Sequence, residues 1–334
     1  MPKCSRFKGF LLFCTALLLL SVSAFAKKEV YLGGFPFGIK MTTDGVYVSG
    51  IGEVESEVGK VSPAKTAGIR EGDTVISLNG KKMSSAAEVA DVISGSEGKI
   101  IECVIKRNGK EIKTNLVPVK NSDGDYKTGL FIKDSASGIG TVTFVDEDGR
   151  CFGGLGHGVT DRNTTGILPL GSGSVHTAEI LDVIKGEKDN PGELRGIVDH
   201  KKAGELLGNT EMGVFGKFAK KFNDLKKVEV ASSGEIKRGK CSIYSCLKGT
   251  TPCELEGEIV EIVDKNAKTK NFIVRLTDKE TLAKTGGIVQ GMSGSPIVQN
   301  GKLIGAVTHV LMRDQTSGYG IFIENMLAEA EKIK

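Results

Sequence analysis

Residues Gly286 to Val307 read Gly-Gly-Ile-Val-Gln-Gly-Met-Ser-Gly-Ser-Pro-Ile-Val-Gln-Asn-Gly-Lys-Leu-Ile-Gly-Ala-Val. Within this stretch Ser293 lies between Gly291 and Gly294, and glycine enters backbone regions closed to other residues. Such a turn can expose the Ser293 hydroxyl and converge the amides of Gly291 and Ser293 on one point, as a serine nucleophile and its oxyanion require. Downstream, Pro296–Gln299, the Asn300-Gly301 turn and Leu303–His309 form a hairpin that would buttress the turn. Ser295 is the competing nucleophile, and a plain cluster of β-turns is the reading without chemistry.

A serine hydroxyl is a poor nucleophile at its own pKa, so a base must lie near it, and the chain offers 4 histidines: His157, His176, His200 and His309. His157 stands among glycines in Gly153-Gly154-Leu155-Gly156-His157-Gly158-Val159, where the backbone can pass close to another loop, and is the expected base. His309, ending the strand after the serine hairpin, is the second candidate. His176 follows a Gly-Ser loop, and His200 sits in the solvated charge run Asp199-His200-Lys201-Lys202. A carboxylate should orient the imidazole. Asp278, where the apolar run Phe272–Leu276 gives way to polar residues, and Asp161, soon after His157, both fit. Asp278 would also serve as the N-cap of a turn through Glu280–Lys284.

Outward from this region, 334 residues suggest two compact units, and 45 glycines with no tryptophan describe a turn-rich globular chain. Residues 1–26 combine Lys3, Arg6 and Lys8, an apolar run from Phe10 to Leu20 and Ala24-Phe25-Ala26, the three parts of a signal peptide. The apolar run is shorter than the ~20 residues that span a bilayer comfortably, so cleavage is favoured over a retained anchor. Without this segment the formal charge drops from +4 to +1, which excludes the basic surface of a nucleic-acid binder. Cys103, Cys151, Cys241, Cys246 and Cys253 remain, an odd number whose spacing matches no zinc site, so no metal is expected.

Between Val30 and Lys120 short β runs alternate with turn residues. Ser84 or Ser85 would cap a helix to Ile93, and Asn108-Gly109 would close a hairpin between Ile100–Arg107 and Glu111–Val119. The polar stretch Asn121–Lys127 reads as a linker. Beyond it the chain is β-rich, with a short helix expected at Lys201–Leu207 and a terminal amphipathic helix at Glu324–Lys334. Short strands at this spacing suit closed antiparallel barrels.

Three resemblances follow from these motifs. The ordered run Ser62-Pro63-Ala64, Ala67-Gly68-Ile69, Gly72-Asp73, Val75-Ile76 and Leu78-Asn79-Gly80 resembles a bacterial PDZ domain, which binds peptides by strand addition. On that likeness the loop Gly34–Ile39 takes the peptide carboxylate, with Gly34, Phe35, Phe37, Gly38 and Ile39 as binding residues. Gly291–Pro296 and its hairpin resemble the serine-bearing segment of chymotrypsin-like proteases, with Met292 and Ser295 as departures. Together with Gly156–Asp161, Leu276–Asp278 and Thr285–Ile297, the whole resembles the stage IV sporulation protein B family of serine peptidases.

The resemblance implies a mainly β protein: a PDZ domain at 30–120, a linker at 121–127 and a chymotrypsin-like barrel domain at 128–334. It implies the triad His157, Asp278 and Ser293, an oxyanion hole from Gly291 and Ser293, and no cofactor. It implies export from the forespore into the space between forespore and mother-cell membranes. There such proteins cut a membrane-bound regulator of an intramembrane protease, and their PDZ domain governs self-processing or target recognition. The stretch from Ala26 to Leu32 is short for self-release, which leaves that role to signal peptidase. The rival readings are a non-catalytic exported scaffold and a general quality-control protease; in the latter the PDZ domain usually follows the protease domain.

Overall fold

The computed structural model describes residues 28–161, 163–187 and 190–333; the segment 1–26, expected from the sequence to be a signal peptide, lies outside them with Cys4 and Cys14. Among the described residues no helix is long and apolar enough to cross a membrane. The chain enters as β1 (Glu29–Leu32) and β2 (Pro36–Ile51), then passes through helix α1 (Pro63–Thr66), β3 (Thr74–Leu78), helix α2 (Ala86–Ser94), β4 (Ile101–Arg107) and β5 (Lys110–Leu116). It returns as β6 (Leu130–Val145), β7 (Cys151–Gly154), β8 (Leu170–Ile184), β9 (Glu193–Thr210) and β10 (Gly213–Phe218). Strands β2, β6, β7, β10, β9 and β8 pair in that order, and β8 pairs again with β2, closing a six-stranded antiparallel barrel.

A second barrel follows from β11 (Gly239–Ser245), β12 (Cys253–Ile262), β13 (Phe272–Leu276), helix α3 (Lys279–Thr285), β14 (Pro296–Gln299), β15 (Lys302–Leu311) and β16 (Asp314–Phe322). Its circuit is β11, β12, β13, β16, β15, β14 and back to β11. The chain ends in α4 (Ile323–Ile333), which buries Ile323, Met326, Leu327 and Ala330 against residues of both barrels, Phe144 and Phe215 on one side and Leu303 and Ile321 on the other. Two closed barrels leave few free strand edges, which suits a protein of many short strands.

The sequence expectations need three corrections here. First, the binding module does not precede the barrels; it is inserted in the first one. Strands β2 and β6 hold 16 residues each, about 50 Å at ~3.3 Å per residue, and so serve both units. Pro36 to Thr42 pair with β6 and β8 in the barrel, while Val46 to Ile51 pair with β3 and with Leu130–Lys133 in the PDZ unit. Asn121–Lys127 is accordingly part of that unit, bridged through Asn121 to Ser56 and through Tyr126 to Lys120.

Second, Gly34–Ile39 is not a peptide loop. Phe37 is 1% exposed and packs edge-on against Phe152 at 5.5 Å inside the first barrel, and Ile39 shares that core. Third, Lys201–Leu207 is strand, because its backbone is claimed on both sides by β8 and β10. The other local readings agree with the fold. Ser85 Oγ accepts the Glu88 amide at 3.2 Å and caps α2, and Asn108 and Gly109 take φ of 49° and 78° in the β4–β5 turn.

Candidate active site

The Ser293 turn follows α3, which ends at Gly286 with φ 76°. Its approach is fixed against β9 and the chain before it: Gln290 N–H donates to Gly192 O and Leu194 N–H to Gln290 O, each at 2.8 Å. Met292 is fully buried and anchors the turn. Gly294 takes φ 93°, and a Cβ there would collide with the Thr141 carbonyl oxygen and the Leu155 amide, so only glycine fits. Amides alternate in use: those of Met292, Gly294 and Ser295 donate to Val289, Val307 and Met292 carbonyls. Among the described residues the Gly291 and Ser293 amides have no partner, which leaves two donors for a developing oxyanion. The Ser293 hydroxyl donates to Thr308 O at 2.6 Å. Ser295 is 0% exposed, which removes it as the competing nucleophile.

Thr141 of β6 clamps this turn to the first barrel. Its amide donates to Ser293 O at 3.1 Å and its hydroxyl to Gly291 O at 2.8 Å, while its carbonyl accepts the Leu155 amide at 3.2 Å. One buried residue thus holds both the serine turn and the segment leading to His157. Thr143 adds a bond to Gly294 O at 2.8 Å.

His157 lies just beyond, half-buried, on a backbone that approaches β15 at Thr308. Its Nδ1 is 2.8 Å from Gly158 O. A carbonyl only accepts, so Nδ1 carries the proton and Nε2 keeps its lone pair, the tautomer a serine's base needs. The ring of His309 lies 4.6 Å from that of His157, tilted by 38°. Burial pushes the His157 pKa below its ordinary value, with the Gly158 bond opposing. Burial and then the charge of His157 push His309 down to about 4. Both imidazoles are therefore neutral near pH 7.

Neither expected carboxylate meets His157. Asp278 caps α3, its Oδ1 accepting the Thr281 amide at 2.8 Å, and that bond is the main reason its pKa is lowered. It follows β13, and among the described residues its carboxylate makes no bond to His157 or His309. Asp161 is 1% exposed and committed to its own loop. It accepts the amides of Asn163 at 2.9 Å and Thr164 at 3.0 Å, and an ion pair from Lys133. His176 is buried with Nε2 at 2.9 Å from Ser174 Oγ, and His200 is exposed on β9.

A separate cleft of about 560 Å³ opens in the PDZ unit between α2 (Ala86, Ala90, Ile93) and the start of β6 (Leu130, Phe131, Ile132). Among the described residues, the edge of Leu130–Lys133 that faces away from β2 pairs with no strand. The loop leading into it is Tyr126-Lys127-Thr128-Gly129, whose residues line the cleft, whereas Gly34–Ile39 do not. In the sequence Asn121–Lys127 reads as a linker and residues from 128 onward as the barrel domain, so the apolar run Leu130-Phe131-Ile132 is not assigned to the PDZ unit there.

Two closed antiparallel barrels that meet at a serine turn with two free amides, with a neutral histidine beside it, define a two-barrel serine peptidase carrying a PDZ module. The chain belongs to the SpoIVB peptidase S55 family, which matches residues 124–327, and a PDZ domain matches residues 56–107. Among curated proteins, the chain is 34% identical over 112 residues to a putative zinc metalloprotease, LL2128, of Lactococcus lactis. That match covers 34% of this chain and 23% of the relative. It is 39% identical over 62 residues to serine protease HTRA1 of Xenopus tropicalis, covering 19% of this chain and 13% of that protein. The chain thus spans less than a quarter of these relatives. Among solved structures, the active form of the Rv3671c protease of M. tuberculosis matches with TM-score 0.37 and 13% identity, over 59% of this chain and 74% of that one.

Proposed function

We propose that this serine peptidase is an exported signalling endopeptidase in which Ser293 attacks a peptide carbonyl. His157 Nε2 takes the Ser293 proton and returns it to the leaving amine, and the Gly291 and Ser293 amides receive the oxyanion. For this the Ser293 hydroxyl leaves Thr308 O and turns to His157, a side-chain rotation within an otherwise built turn. The observation that carries the reading is the pair of amides, of Gly291 and of Ser293 itself, that have no partner among the described residues, in a turn that tolerates only glycine at 294. The family further suggests the substrate, a membrane-bound regulator of an intramembrane protease in a sporulating cell, reached after export by the 1–26 segment. The cleft between α2 and β6 would bind that target or this chain's own extended segments by strand addition.

An active-site fluorophosphonate should label the purified protein, with the label lost in Ser293→Ala and His157→Ala. Incubation with a candidate regulator, followed by mapping of the cut, then tests the substrate. A labelled wild type that leaves the regulator whole overturns the signalling role alone; absence of label overturns the nucleophile.

A further inference from the structure

The walls of the PDZ cleft converge on Lys133 and Asp134, and Lys133 reaches the loop that follows His157. Lys133 follows directly on the cleft strand Leu130–Ile132, and Asp134 follows Lys133. The Ala86 amide, at the first turn of α2, donates to Asp134 Oδ2 at 2.9 Å, so the helical wall is tied to the same point as the strand wall. The β2–β6 register jumps from Lys133–Tyr47 to Ser135–Thr42, so Asp134 stands opposite the four residues Thr43–Val46 of β2 where the ribbon leaves the PDZ unit for the barrel. Here Lys133 points its ammonium at the buried carboxylate of Asp161, and Tyr47, its register partner, meets Thr164 Oγ1 at 2.7 Å.

Asp161 and Thr164 belong to the loop that begins right after His157 and Gly158. Its base is held by Asn209, whose Oδ1 accepts the Val159 amide at 2.7 Å and whose Nδ2 donates to Val159 O at 3.0 Å. Its tip is organised by Asp161, which gathers the Asn163 and Thr164 amides. The loop therefore hangs between the first barrel and the PDZ junction, and among the described residues the junction end is held by one ion pair and one hydroxyl contact.

We infer that Lys133 and Asp161 are positioning residues for His157, and that filling the PDZ cleft acts on the base through Lys133 and Asp134. An extended peptide wedged between α2 and β6 strains the ties that these two residues make and shifts the loop behind His157. The inference rests on Ser293 and His157 acting as proposed above.

A double-mutant cycle tests it without a known ligand. Ala90→Trp fills the cleft from an exposed helix position, and the readout is the rate of fluorophosphonate labelling of Ser293. Ala90→Trp should change that rate at least about threefold, and Lys133→Met should abolish the change while Lys133→Arg preserves it. An Ala90→Trp effect that persists unchanged in Lys133→Met, or no effect of Ala90→Trp at all, overturns the inference. Hydrogen exchange guards against simple misfolding. Lys133→Met should speed exchange at the Asn163 and Thr164 amides and leave Gly294 and Ser295 protected; equal loss at all four overturns a local role. Loss of label in Ser293→Ala checks the nucleophile separately, so an additive cycle with an intact label would reject the coupling alone.

Discussion

The Ser293 turn and the loop after His157 sit side by side but are held from different places. The turn is fixed from within the barrels by Val307 O, Thr141 and Thr143, all on strands paired along both edges. The His157 loop is fixed at one end by Asn209 and at the other by Lys133 and Tyr47 of the ribbon that leads to the PDZ unit. The nucleophile is therefore preorganised by the fold, whereas the base depends partly on a junction between domains. A regulator acting at the PDZ unit would move the base more readily than the oxyanion donors.

Several substitutions would break or sharpen this contrast. Ser293→Ala should lower kcat/KM by roughly 10⁴-fold or more with the melting temperature unchanged, because the hydroxyl supports nothing but Thr308 O. Gly294→Ala should cost about 3 kcal/mol or more in chemical denaturation, since the methyl meets the Thr141 carbonyl at φ 93°. The same change at Gly301, φ 79° but with open space around it, should cost only about 1 kcal/mol. Similar losses at both would mean the turn is not rigid. Thr141→Val should reduce kcat roughly tenfold to a hundredfold with little change in KM, because the Gly291 carbonyl loses its donor and the oxyanion amides drift. Thr141→Ser should restore it.

The pH dependence probes the base. With its pKa held below the ordinary 6.5, His157 should keep kcat/KM on its plateau as pH falls past 6.5, and the acid limb should lie lower. Stability should decline over a related window: between 6.5 and about 4 the unfolded chain protonates His309 while the folded chain does not, so acid favours unfolding. The smallest effect is expected at Asp278. Asparagine caps a helix as well as aspartate, so Asp278→Asn should keep stability and activity within about threefold, while Asp278→Ala should cost about 1 kcal/mol. A loss near 10⁴-fold in Asp278→Asn would instead show that this carboxylate reaches His157 during turnover.

Much of this site was legible because glycine and serine spacing is local chemistry. Gly291, Ser293 and Gly294 announce a turn with usable amides, and the glycines around His157 announce a close approach. The carboxylate was not legible, because an aspartate at a strand end followed by a helix-forming run satisfies an N-cap and a catalytic orienter equally well until its distance from the histidine is known. The domain order misled for a physical reason. Short β runs between Val30 and Ile51 say nothing about which partner each takes, and β2 is one long strand that changes partners midway. The PDZ core was readable from Ser62 to Gly80, yet its cleft strand lies some fifty residues later, contributed by a segment whose other end closes the barrel.

That shared ribbon also bears on the order of assembly. Pro36–Thr42 leaves the ribosome early but cannot complete its barrel until Ser135–Thr141 has followed, about 90 residues later. An unstructured stretch of that length would close slowly. A PDZ unit that folds as it emerges brings Val46 and Lys133 together and shortens the search to a few residues on either side. The inserted module thus works as an internal clasp for the protease that surrounds it. Lesions in its core, such as at Val75 or Ile105, should appear as failure to accumulate peptidase even where no residue of the catalytic apparatus is touched.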